Sequence, residues 1–166
     1  GAYPYLMIDA GQAKALGMQD VSAEQRERRV AAAIGRLAGM QAASGAFSLW
    51  GDGRQDVWLT AYVTAFLQDA RRAGHALPAQ VLERATDWLQ ARLREGPSRV
   101  PALPERLARY DDETTYRDAD ARLIADGHQR FAALAYAGYV LAREQQAPLA
   151  SLRELYDGHA QRARSV

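Results

Sequence analysis

An all-α fold, laid out as part of a two-layered ring of helical hairpins, is what this sequence predicts, and three observations predict it. No stretch alternates apolar and polar residues with the period of two that a half-buried strand requires. Apolar residues instead recur at helical spacing in successive segments, each bounded by glycine, proline or a capping residue. From the second segment on, helices wet on one side take turns with helices that are apolar nearly all round. That order suits inner helices enclosed by outer ones, whereas an up-and-down bundle of like amphipathic helices would not need it.

Residues 3–16 read as a first helix, with Pro4 in its opening turn, Tyr5, Ile8, Ala15 and Leu16 on one side, and Gly17 as the stop. Ser22 followed by Gln25 is a capping box that opens the second helix. Val30, Ile34, Leu37 and Ala38 form its apolar face, and Gly45, after Ser44, closes the run by taking a positive φ. The connector that follows reads as a fixed corner. Gly51, Asp52 and Gly53 allow a sharp reversal, Phe47, Leu49 and Trp50 plug the rim between two helices, and Asp56 caps the next one.

The third helix, residues 56–73, carries Val57, Trp58, Leu59, Tyr62, Val63, Phe66 and Leu67 over most of its circumference. Only Thr60, Thr64 and Gln68 mark a polar strip, so the helix is expected to be surrounded by others. Residues 79–94 return to the amphipathic type, with Val81, Ala85, Trp88 and Leu89 inward. Gly96, Pro97, Pro101 and Pro104 then open an irregular insertion at about 95–128, with short helices expected near 105–109 and 117–124. Residues 129–145 are apolar on nearly every side and are expected to be enclosed, their alanines and Gly138 letting neighbours approach. Pro148 begins a last amphipathic helix with Leu149, Leu152, Leu155 and Tyr156 inward.

Twenty-one basic residues against 20 acidic ones leave a formal charge of +1, and the cations are scattered, which argues against nucleic acid as a partner. The longest apolar run, residues 131–142, is too short to span a bilayer, so no direct membrane contact is expected from this segment. With no cysteine, the chain has no disulfide, no thiolate metal site and no cysteine nucleophile.

Trp50, Trp58 and Tyr62 would suit a groove for a partner, but aromatics at helical spacing usually belong to a core and are read so here. Asp111, Asp112, Glu113, Asp118 and Asp120 form an acidic cluster beside Arg109, Arg117 and Arg122. It lacks the ordered spacing and central glycine of a calcium loop, so a solvated, neutralised loop is expected and no metal site. His75, His128 and His159 are scattered, and none stands at a recognisable spacing from a nucleophile. Asp52 and Asp56 are the pair a hydrolase would use, provided a cleft holds them about 5 to 9 Å apart.

The run from Met40 through Ser44, Gly45, Phe47, Leu49 and Trp50, followed by Trp58, Leu59, Thr60, Ala61 and Tyr62, resembles the thioester domain of bacterial alpha-2-macroglobulins. So does the segment from Ala133 through Ala142, Arg143, Glu144, Pro148 and Leu152 to Leu155. The likeness covers essentially the whole chain and is weakest between Gly96 and Asp126. It implies an α/α toroid within a very large, membrane-anchored periplasmic protein, a broad-spectrum endopeptidase inhibitor that traps proteases. In that family, cleavage of a bait region exposes a thioester between a cysteine and a glutamine, which acylates the protease.

The thioester motif normally precedes the Tyr-Pro segment, here Tyr3 and Pro4, and these 166 residues hold no such cysteine. Residues 1–166 are therefore expected to form a single partial domain, a non-catalytic fragment beginning just after the motif. No catalytic, cofactor or metal residue is carried over. The expected partners are the remainder of the parent chain and, through it, proteases. Apolar faces at the edges of an incomplete ring would be exposed or covered by self-association. The alternative is a free-standing toroid enzyme acting on glycosides or isoprenoids through Asp52 and Asp56.

Overall fold

Side-chain caps from Ser22 and Asp56 fix where two of the helices begin. In the computed structural model, which describes residues 6–7, 10–15, 17, 22–49, 54–102, 118–160 and 163, every regular element is helical. The elements are α1 (Ala10–Ala15), α2 (Ala23–Met40), α3 (Val57–Arg72), α4 (Ala79–Glu95), a 3-10 turn at Pro97–Arg99, α5 (Asp118–Ala142) and α6 (Leu149–His159). They divide into two compact units, Gly1–Thr86 and Asp87–Val166, with the division falling inside the span of α4.

In the first unit, the Ser22 hydroxyl accepts from the Gln25 amide at 3.1 Å while the Gln25 side chain accepts from the Ser22 amide at 3.2 Å. Two amides at the start of α2 are thereby satisfied reciprocally. Ser22→Ala should cost about 1 kcal/mol. A thermal melt should read this as a drop of roughly 2–4 °C. An unchanged melt would mean that the box forms without stabilising the helix. Exposed ion pairs on α2, such as Arg28–Glu24 at 3.5 Å, contribute far less because solvent screens them.

The core of this unit joins Val30 and Ile34 of α2 to Phe47, to Val63, Phe66 and Leu67 of α3, and to Val81, Leu82 and Ala85 of α4. Nine of the sixteen residues of α3 are buried, which makes it the most enclosed element of the unit. Enclosure is nevertheless one-sided. Trp58 is 51% exposed and Tyr62 39%, whereas the expected polar strip of Thr60, Thr64 and Gln68 is wholly buried. The threonines fit inside because each turns its hydroxyl back onto the helix, Thr60 to Asp56 O and Thr64 to Thr60 O, both at 2.7 Å. What Thr64 leaves facing its neighbours is a methyl group on a β-branched stem, while the Thr60 hydroxyl also pairs with Phe47 outside the helix.

In the second unit, Leu89 and Leu93 of α4 are fully buried, as are Val140 and Leu141 of α5. Gly96 has no Cβ because one would stand 2.5 Å from a Leu134 methyl, so the missing side chain lets α5 close on the end of α4. α5 runs unbroken from Asp118 to Ala142, so residues 118–128 are helical and the expected separation of a 117–124 helix from a 129–145 helix does not occur. Its span contains no proline, and the Arg130–Asp126 pair at 2.8 Å bridges the turn around Gly127. The short helix expected near 105–109 lies outside the described residues.

Two further expectations about orientation are corrected here. Leu155 of α6 is buried, but Leu149 and Tyr156 are 76% and 70% exposed, so the inward face of this helix is narrower than its apolar face. Tyr139 of α5 is 61% exposed, so that helix is not covered all round.

Candidate functional site

The corner between α2 and α3 is tied by side chains from both of its ends and from α4. α2 ends at Met40, and Gln41 turns into extended backbone. Its side-chain amide donates to Gly45 O at 2.9 Å and to Val81 O at 2.8 Å. Arg84 reaches over from α4 and donates to Ala42 O at 2.7 Å and Ala43 O at 2.8 Å. A guanidinium that gathers consecutive carbonyls in this way holds the loop with charge-assisted bonds.

Gly45, expected to stop the second helix, instead lies in this loop with φ 96. A Cβ there would press into the Arg84 carbonyl oxygen and stand 2.7 Å from its carbon, so glycine is required by the approach of α4. On the far side of the corner, the Thr60 hydroxyl accepts from the buried Phe47 amide at 3.0 Å. The Asp56 carboxylate accepts from the Leu59 amide at 2.6 Å, the N-cap role expected of it. Phe47 is buried and plugs the rim, whereas Leu49 is 70% exposed and does not.

The other residues singled out in the sequence fall in separate settings. Trp58 and Tyr62 stack on each other, centroids 5.5 Å apart and planes 9° from parallel, on the outer side of α3 and not in the core. A ring pair one turn apart on a helix places its two faces side by side, so stacking holds the rings without burying them. Trp50, Asp52, Asp111, Asp112 and Glu113 lie outside the described residues. Asp118 opens α5 and Asp120 is buried in its first turn. His75 meets Glu27 of α2 at 2.9 Å, and His159 donates from Nε2 to Pro97 O at 2.9 Å, while His128 sits half-buried on α5. Among the described residues, no three of His, Cys, Asp or Glu group in a way that would hold a metal ion.

Gln41 and Arg84 were not visible as site residues in the sequence. Each acts on a partner about 40 positions away, and Arg84 reads there as one more polar residue on the wet side of an amphipathic helix. The second unit holds a different feature. A groove of about 240 Å³ runs between α5 and α6, floored by Ala135, Gly138 and Ala142 and walled by Leu152, Leu155 and Tyr156. Apart from the hydroxyls of Tyr139 and Tyr156 its lining is apolar, a surface for packing.

A helical packing module, clasped at one corner and apolar on parts of its outer surface, is the class of protein these features define. Residues 11–97, more than half of the chain, match the model of the A-macroglobulin TED domain, and the chain belongs to that family. Alpha-2-macroglobulin of Xylella fastidiosa (strain Temecula1) is 36% identical over 163 residues, covering 97% of this chain and 9% of that protein. Alpha-2-macroglobulin of Escherichia coli (strain K12) is 34% identical over 165 residues, covering 98% of this chain and 9% of that one. The crystal structure of native E. coli alpha-2-macroglobulin spanning domain MG7 to the C-terminus superposes with a TM-score of 0.73 at 34% identity. That match covers 96% of this chain and 22% of the other. The chain thus spans about a tenth of the length of these relatives, and their all-helical TED domain is the part it corresponds to.

Proposed function

We propose that this chain is a non-catalytic part of the thioester domain of a bacterial protease trap, acting as a helical body against which the rest of a much larger protein packs. The observation that supports this reading most strongly is the near-complete coverage of the chain by bacterial alpha-2-macroglobulins at about one-third identity. The helix order agrees with this, since the solved relative superposes over 96% of the chain. In this reading residues 1–166 belong to one partial domain, the helices are hairpins of an α/α toroid, and the parent protein resides in the periplasm. The thioester cysteine is supplied from outside these residues, because they contain none. Among the described residues, no helix is long and apolar enough to cross a membrane.

The glycoside or isoprenoid reading gains nothing from the corner, where the Asp56 carboxylate is committed to capping α3. Trypsin incubated with the protein expressed from its full reading frame should lose activity toward a large protein substrate and migrate as a high-mass adduct. The 166-residue chain alone should leave trypsin unaffected. Full activity and unchanged migration of trypsin with the full protein would refute the trap.

A further inference from the structure

The cations of this chain are almost all of one chemical kind. Of its 21 basic residues Lys14 is the one lysine, and arginine fills every other position. Arg84 is committed to the corner, where its guanidinium gathers two successive carbonyls. Elsewhere the geometry would accept lysine as readily. Arg28 stands 3.5 Å from Glu24 and Arg153 stands 3.9 Å from Asp157, exposed helical pairs that an ammonium forms just as well. Arg36, Arg54 and Arg122 are exposed too.

What separates the two residues at such positions is reactivity. At neutral pH roughly one lysine in a few thousand carries a free amine, and a guanidinium loses its proton roughly two to three orders of magnitude less often. Amines and thiols are the side-chain groups that most readily open a thioester, and this chain offers one of the first and none of the second. Hydroxyls are poor nucleophiles without a base beside them. The crystal structure of Salmonella alpha-2-macroglobulin reacted with methylamine, a primary amine, superposes on 97% of this chain and 9% of that one with a TM-score of 0.73 at 34% identity. An amine carried on the same domain as a thioester competes, wherever it can reach, at an effective concentration of roughly millimolar. Its nitrogen attacks the acyl carbon, the carbon–sulfur bond breaks, an amide forms, and the proton lost by the nitrogen ends on the released thiol. The acyl group is then spent on the protein's own surface.

We propose that arginine at the exposed cationic positions of this chain keeps the parent's thioester for an outside amine, because it supplies the charge of lysine without the nucleophile. The proposal rests on the reading of the chain as part of a thioester-bearing trap. In the protein expressed from its full reading frame, Arg28→Lys, Arg36→Lys, Arg54→Lys, Arg122→Lys and Arg153→Lys are combined in one variant. Glutamine takes the same five positions in another. Each protein is activated with trypsin, the covalent trypsin adduct is quantified, and isopeptide bonds are located by peptide mass spectrometry.

The lysine variant should hold about one-third or less of the trypsin held by the unmodified protein, and an isopeptide should appear at one or more of its new lysines. The glutamine variant should hold as much trypsin as the unmodified protein. Full capture by the lysine variant with no such isopeptide would overturn the proposal, and is the result expected if arginine reflects coding preference alone. So would an equal loss in the glutamine variant, which would make charge the cause, or an isopeptide already present at Lys14 in the unmodified protein. Thiol release by methylamine from the unmodified protein reports the thioester without any protease. A failed trap is thereby told apart from a failed proposal.

Discussion

Gly45→Ala should destabilise the chain by roughly 3 kcal/mol or more, because two costs coincide at one position. The residue holds φ 96, beyond the range that L side chains adopt readily, and the added methyl would press into the carbonyl of Arg84. That carbonyl cannot retreat cheaply. It belongs to the body of α4, and the Arg84 side chain is bonded to the loop that contains Gly45. The melting temperature should fall by roughly 6–12 °C. Gly35→Ala gives the opposite sign. Gly35 is exposed inside α2 with nothing within 4 Å of its would-be Cβ. There the change should stabilise by roughly 0.5–1 kcal/mol through propensity and a less floppy unfolded chain. Thermal melts of the two variants should therefore move in opposite directions. If Gly45→Ala melts within about 2 °C of the parent chain, the loop is not held by α4 as described.

What the sequence made legible was whatever is decided locally. Ser22 and Gln25 lie three residues apart and satisfy each other, so their pattern and their geometry are one fact. Asp56 is similar, and so is the inward face of α4, where Val81, Ala85, Trp88 and Leu89 are all buried. The errors share one cause. Periodicity shows which residues lie on the same side of a helix, not which side another element covers. Along α3 the strip with hydroxyls went inside and a stacked Trp–Tyr pair stayed out. On α5 and α6, Tyr139, Leu149 and Tyr156 are apolar positions that remain exposed among the described residues. A residue that is apolar yet exposed is the expected result when the neighbour belongs to another stretch of polypeptide.

The corner failed to show itself for a different reason. Its glycine was recognised, but as a helix stop, because the residue that makes glycine necessary lies 39 positions further on. Arg84 acts across such separations, and Gln41 joins its own loop at Gly45 to Val81 forty positions on, so no local pattern encodes the clasp. The family likeness supplied what periodicity could not. It was carried by the segment around this corner, where the chain also matches the TED domain, and by residues 133–155.

Thr60→Val and Thr64→Val make a paired test of why a polar residue sits in the core of α3. Both side chains are fully buried, and valine replaces a hydroxyl with a methyl of nearly the same shape. The Thr60 hydroxyl has a partner outside its own helix, the amide of Phe47, which is itself buried. Removing it leaves that N–H without the acceptor, at a cost of about 1–3 kcal/mol. The Thr64 hydroxyl returns to a carbonyl one turn back in its own helix. Its loss should therefore change stability by no more than about 0.5 kcal/mol, in either direction. Urea titrations should show a lowered midpoint with an unchanged slope for Thr60→Val and nearly no shift for Thr64→Val. Equal shifts would mean that burial of a hydroxyl as such is being measured. A large shift for Thr60 alone identifies the hydroxyl as the pin that fixes the angle at which the corner enters α3.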